Sequence, residues 1–215
     1  MQTYTVSQNR VLGRVFFGLF GTLLAALVGV LVGTQIPTVL IGVLSIVELV
    51  MIFVAMFRQR KKAIGFPFVY AFTFISGITL WPIIHSYAVM LGAGLVIQAL
   101  GVAAGAFLIA SIVASRSSMD FSFLGGFLFI GLMALLLMGL VSIFTAFSSA
   151  MNLAYSLIGI GVFIGYILFD VNRMAKYGIS EQAVPWVVLS LYLDFVNLFL
   201  FVLRLMGVLG SSDRR

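Results

Sequence analysis

The stretch Leu189-Ser190-Leu191-Tyr192-Leu193-Asp194-Phe195-Val196-Asn197-Leu198-Phe199 sets a carboxylate and an amide inside a segment otherwise fit for hydrocarbon. An ionised Asp at the centre of a membrane helix costs roughly 2.5–3.5 kcal/mol on insertion scales, so such a residue faces protein, finds a partner and marks a pathway. At about 100° per residue, Ser190, Asp194, Asn197 and Phe201 share one helix face, with Arg204 towards its edge. Glu48, Asp170 and Arg204 are the other ionisable residues inside apolar runs. Left unpaired, the four would cost about 12 kcal/mol at roughly 3 kcal/mol each. That is comparable with the whole stability of a domain, about 5–15 kcal/mol. They must therefore be paired, protonated or hydrated.

Asp170 lies near the end of the sixth apolar run, about a turn before Arg173, and Tyr166 lies one turn before it. Asp194 is about ten residues into the seventh run, deeper than Asp170, so contact between the two needs tilt or an offset helix start. If they meet, two carboxylates in a low-dielectric site do not both ionise cheaply. The pair then titrates as a unit near neutral pH and forms a proton-sensitive gate. The competing reading pairs Asp170 with Arg173 or with the basic tract 58–62 as an ordinary interface charge. Glu48 and Arg204 are expected to pair as a structural lock. His85, beside Pro82, reads as an interface residue rather than a ligand. Asn152, Asn172 and Gln98 are candidates for hydrogen bonds between helices, and the ten Met residues read as packing.

The chain of 215 residues is 63% hydrophobic and 8% charged, against about 25% charged in soluble domains. It is therefore a polytopic membrane protein. The absence of Cys excludes disulfides and thiolate metal sites. A single His without a His/Glu cluster argues against a zinc hydrolase. The net charge of +6 comes from Lys and Arg at segment ends, which are topology signals rather than a nucleic-acid patch.

A span needs about 20 apolar residues, and seven can be cut: 11–33, 39–57, 64–84, 88–115, 121–144, 153–174 and 184–209. No connection is long enough to separate domains, so residues 1–215 are expected to form one. The first run is too long for a signal sequence and reads as a retained span. With the N-terminus inside, Arg10, Arg14, the tract 58–62, Arg116, Arg173 and Lys176 all fall on the cytoplasmic side. The external connections carry no Lys or Arg. Only Arg214 and Arg215 fall outside, if the seventh run spans fully. Trp81 and Trp186 sit at segment ends, as interfacial aromatics do. Glycines at small-xxx-small spacing (Gly29/Gly33, Gly101/Gly105 and Gly161/Gly165) are expected to let helices approach closely.

The seventh-run stretch 190–199, followed by Leu203-Arg204, resembles the last-helix signature of the transmembrane Bax inhibitor motif family. Ala154-Tyr155-Ser156 through Tyr166-Ile167-Leu168-Phe169-Asp170 resembles its sixth helix, and Phe74-Ile75-Ser76-Gly77-Ile78-Thr79-Leu80 its third. The similarity covers nearly the whole chain and is nearest to the family's bacterial calcium-leak members. It implies an all-α integral membrane protein of seven helices, with two three-helix layers around the last. It also implies an aspartyl pair, carried here by Asp170 and Asp194, that senses protons and gates a calcium path. In the family a basic residue at the end of the second helix latches the first of these aspartates. Gln59 occupies the aligned position here, so Arg60, or Arg58, is expected to take the role.

The residue chemistry agrees. Ca²⁺ takes oxygen ligands, and Asp170, Asp194 and Glu48 are the embedded carboxylates available. So few charges suit a leak, because a conducted ion must bind weakly enough to leave. The expectation is a passive, pH-sensitive calcium leak in the cell membrane. It has no enzymatic activity and no cofactor, with calcium as permeant ion and protons and the bilayer as partners. Asp170 and Asp194 are sensor and transient calcium ligands, and Glu48, Arg204, Asn197 and Tyr166 are supporting polar residues. Two other classes stay open. One is a membrane-embedded regulator without ion flux. The other is an intramembrane aspartyl protease, although its Gly-x-Gly-Asp motif is missing before Asp170. A retinal protein is excluded, because the seventh run holds no lysine.

Overall fold

Where no water reaches, a chain must satisfy its backbone polar groups internally, and the apolar runs do so as helices. The computed structural model describes residues 2–59 and 64–212, with the backbone alone for residues 2–10, 58–59 and 211–212. Seven helices follow in order: α1 (Gln2–Gly33), α2 (Thr38–Gln59), α3 (Phe66–Leu91), α4 (Ala93–Arg116), α5 (Leu124–Phe144), α6 (Ser149–Tyr177) and α7 (Val184–Ser212). Short 3₁₀ turns at Phe121–Phe123 and Glu181–Ala183 lead into α5 and α7. Each of the seven helices holds a segment long and apolar enough to cross a membrane, and no strand occurs among the described residues. Outward-facing Phe17, Phe57, Ile143 and Phe144 fit a lipid-facing surface.

α1, α2, α3, α6 and α7 run longer than the apolar runs, α4 and α5 begin later than theirs, and one break moves. The expected break at 81–87 is absent. α3 continues through Pro82 to Leu91, and Gly92 alone separates it from α4. A proline removes one helical hydrogen bond, which membrane helices tolerate. Gly92, at φ 94° and ψ 145°, sits in backbone space that only glycine occupies easily, and this residue ends the helix. His85 therefore lies on a helix rather than in a loop, its ring 4.9 Å from that of Trp81.

Packing groups the chain into two compact units. The first comprises Met1–Ser86 and Gly178–Tyr192, and the second Tyr87–Tyr177 and Leu193–Arg215. In the first unit α1 crosses α3 at backbone contact. A Cβ on Gly29 would run into the Phe74 carbonyl, and one on Gly77 into the Ala26 carbonyl. Gly33 likewise lies against Trp81. Of the glycine pairs expected to permit close approach, Gly29/Gly33 does so fully. Gly165 touches Leu128, whereas Gly161, Gly101 and Gly105 have open space around them.

In the second unit α6 packs against both α4 and α5. The Tyr155 hydroxyl donates to the Leu135 carbonyl of α5 at 3.0 Å. At the other end of α6, Asn172 is 1% exposed and bridges the α4–α5 connection. Its Nδ2 donates to the carbonyls of Ala114 (3.0 Å) and Met119 (3.1 Å), and its Oδ1 accepts from the Phe121 N–H (3.0 Å). Lys176 donates to the Ser118 carbonyl at 2.7 Å, and the Tyr177 hydroxyl donates to Asp120. Asp120 in turn accepts from the Ser122 N–H at 2.9 Å. Hydrogen bonds from Ser122 and then Tyr177 hold its carboxyl down from the ordinary 3.8 to about 2.

Candidate functional site

Tyr166 and Asp170 stand four residues apart and so share one face of α6. Phe163 belongs to the same neighbourhood: its ring lies 6.1 Å from Tyr166 and 5.8 Å from Phe201 of α7. Phe201 is seven residues beyond Asp194, two turns along the same face. The face of α7 that carries Asp194 therefore meets the face of α6 that carries Tyr166 and Asp170. Asp170 and Asp194 thus stand on facing sides of α6 and α7. Asp170 lies seven residues before the end of α6 and Asp194 ten after the start of α7. The offset of three residues is about 4.5 Å along the axis.

The two carboxyls differ in surroundings. Asp170 is half-buried, whereas Asp194 is 5% exposed and its Oδ2 has no hydrogen-bond partner among the described residues. A buried oxygen without a partner is costly in the absence of a ligand, a water or a proton.

The remaining predicted residues are distributed more widely. The Asn197 amide donates to the Leu193 carbonyl at 2.8 Å, one turn back in its own helix. Glu48 and Arg204 each have a partner within their own unit. Glu48 Oε2 accepts from Thr79 Oγ1 at 2.6 Å, so a neutral donor from α3 steadies a carboxylate that α2 holds within its apolar run. The Arg204 guanidinium lies 4.9 Å from the centroid of the Tyr155 ring, with Nη1 lacking a hydrogen-bond partner among the described residues. Each arrangement gives an embedded polar group a local contact. Arg60 and the side chain of Arg58 lie outside the described residues. Among the described residues the ion pair present joins Arg14 and Glu181 at 3.0 Å, and both side chains are exposed.

Asn172 makes the bonds between elements expected of it, but Asn152 serves its own helix start, donating to the Phe147 (3.1 Å) and Ser148 (3.3 Å) carbonyls. Gln98 is exposed. Thr79 is a partner that sequence reasoning missed. The signal was Ser76 and Thr79 three residues apart on α3, a small polar face able to meet the mid-span carboxylate of α2. No group of three or more His, Cys, Asp or Glu gathers as a metal site among the described residues.

Comparison with known proteins adds the following. The sequence profile of the family described as inhibitor of apoptosis-promoting Bax1 matches residues 8–212. An uncharacterized membrane protein of Vibrio cholerae is 33% identical over 97% of this chain and 94% of the relative. Bax inhibitor 1 of Schizosaccharomyces pombe is 32% identical over 78% of this chain and 61% of that protein. A Golgi anti-apoptotic protein of Vaccinia virus is 32% identical over 74% of this chain and 64% of its own length.

Proposed function

The chain belongs to the Bax inhibitor family, and from that premise we propose that this multi-pass membrane protein is a passive, proton-sensitive calcium leak. The observation that carries the reading is the near-complete burial of Asp194, with Oδ2 unbonded, beside a second carboxylate on the neighbouring helix. Two carboxylates in one low-dielectric site exchange protons as a pair rather than singly. Ca²⁺ seeks the same oxygens, so protons and calcium compete for Asp170 and Asp194, and pH controls flux without a separate sensor. So few ligands favour release over retention.

In this reading Asp170 and Asp194 sense protons and hold the ion in passing, and Tyr166 borders them. Arg60, or Arg58, supplies the cationic latch. Glu48 and Arg204 serve the structure through Thr79 and Tyr155. No bond is made or broken, so the protein is not an enzyme. It sits in the cell membrane with its N-terminus cytoplasmic and, after seven spans, its C-terminus on the opposite side.

Calcium flux into liposomes holding the purified chain, measured across pH, tests the proposal. Wild type should show pH-dependent flux, and the double variant Asp170→Asn, Asp194→Asn a flat profile. An unaltered pH profile in the double variant refutes the sensor role. A regulator without flux is the second reading, favoured by the anti-apoptotic name of the viral relative. It predicts no flux in the same liposomes.

A further inference from the structure

Hydroxyls inside these helices share a habit. Thr22, Ser45, Thr73, Ser86, Ser142 and Ser156 each donate to the carbonyl three or four residues earlier. Ser111 of α4 does not. It is 7% exposed, yet its Oγ has no hydrogen-bond partner among the described residues. The second unit holds another buried oxygen in that condition, Asp194 Oδ2.

Two anchors locate Ser111 relative to the aspartates. Phe107 of α4 meets Phe195 of α7 edge to face, with ring centroids 5.7 Å apart. Asn172 of α6 binds the Ala114 carbonyl of α4 at 3.0 Å. Ser111 lies between the anchors, four residues after Phe107 on the same helix face and three before Ala114. Asp194 adjoins Phe195, and Asp170 lies two residues before Asn172. On helix rise alone, Ser111 lies within about one turn of both aspartates in height, on a helix that meets α6 and α7. The ionisable groups at that level are Tyr166 and Asp170 from α6 and Asp194 from α7. The buried positions of α4 around it are Ala103, Phe107, Ala110 and Ala114, and α5 carries no titratable residue.

We propose that Ser111 is a further oxygen ligand of this site, its hydroxyl completing, beside the Asp170–Asp194 carboxylates, the binding of a hard divalent cation. The inference rests on the leak reading and extends it. Ca²⁺ takes six to eight oxygens, more than two carboxylates supply. A neutral hydroxyl adds an oxygen without adding charge, which keeps the ion releasable. Among the described residues of the second unit, Asp194 Oδ2 and Ser111 Oγ are buried oxygens without a hydrogen-bond partner; Tyr192 Oη of the first unit is a third.

The test uses the purified full chain in lipid vesicles with Ca²⁺ as the probe. The readouts are the carboxylate infrared bands during a Ca²⁺ titration and Ca²⁺ flux. Ser111→Ala should raise half-saturating Ca²⁺ about three- to tenfold in both, the effect of losing one neutral polar contact. Ser111→Thr, which keeps the hydroxyl, should stay near wild type, and thermal unfolding checks that both variants fold. Unchanged half-saturation in Ser111→Ala, or equal impairment in Ser111→Thr, overturns the assignment. Ca²⁺ binding that depends on Ser111 without any flux would sustain the ligand and overturn the leak. A wild-type protein whose carboxylate bands ignore Ca²⁺ overturns both.

Discussion

Asn172→Ala removes three hydrogen bonds at once from a side chain that is 1% exposed. The three partners do not suffer equally. Ala114 is fully buried, so its carbonyl loses its donor with no water to replace it. Met119 is exposed and Phe121 half-buried, so their groups recover part of the loss by hydration. One fully orphaned carbonyl at about 1–3 kcal/mol and two partly rehydrated groups at about 0.5–1 kcal/mol each give a destabilisation of about 2–5 kcal/mol. Asn172→Asp should be at least as damaging, because it keeps the acceptor for Phe121 but turns an oxygen towards two carbonyls. Equilibrium unfolding of the full chain in bicelles measures the stability. Hydrogen exchange at the Phe121 amide reports on the clamp itself. A loss below about 1 kcal/mol, with Phe121 protection unchanged, would refute the view that this amide fastens the α4–α5 connection to α6.

The α1–α3 crossing supplies a paired prediction. Gly77→Ala pushes a methyl into the Ala26 carbonyl and should cost about 1–3 kcal/mol, as overpacking does. Gly101→Ala meets nothing within 4 Å and should be neutral or stabilising by up to about 1 kcal/mol through helix propensity. Thermal unfolding of both variants decides, and equal shifts would defeat the packing argument. Asp120 gives a pH prediction. Its folded-state value is depressed, so its contribution is present above the ordinary 3.8 and lost as pH falls through about 2. Carboxyl NMR titration should find a midpoint near 2, moving up towards 3.8 in Tyr177→Phe; a wild-type midpoint at 3.8 refutes the hydrogen-bonding account.

Helix number and type were legible because hydrocarbon imposes them: a run of about 20 apolar residues has little choice but to be a helix. The breaks were less so. Proline at 82 and the polar residues after it read as a connection, but a membrane helix absorbs a proline, whereas the backbone angles at Gly92 do end one. Asp170 and Asp194 drew notice in the sequence because both stand out in the apolar runs of successive helices. Partner choice over long separations was not readable. Glu48 is 31 residues from Thr79, and nothing in the composition ranks a hydroxyl above a guanidinium as its companion. Likewise, a serine in an alanine-rich helix normally bonds its own backbone, and only the structure shows that Ser111 does not.

The one-residue separation of α3 from α4 bears on how the chain enters a bilayer. Between Leu91 and Ala93 there is no hydrophilic stretch to be left in water, since Gly92 is the whole connection. An emerging chain therefore presents both segments to the insertion machinery as one apolar object. The two partition together, and neither has a stop between them at which the first could be released alone. Lengthening this connection with polar residues would turn one insertion event into two.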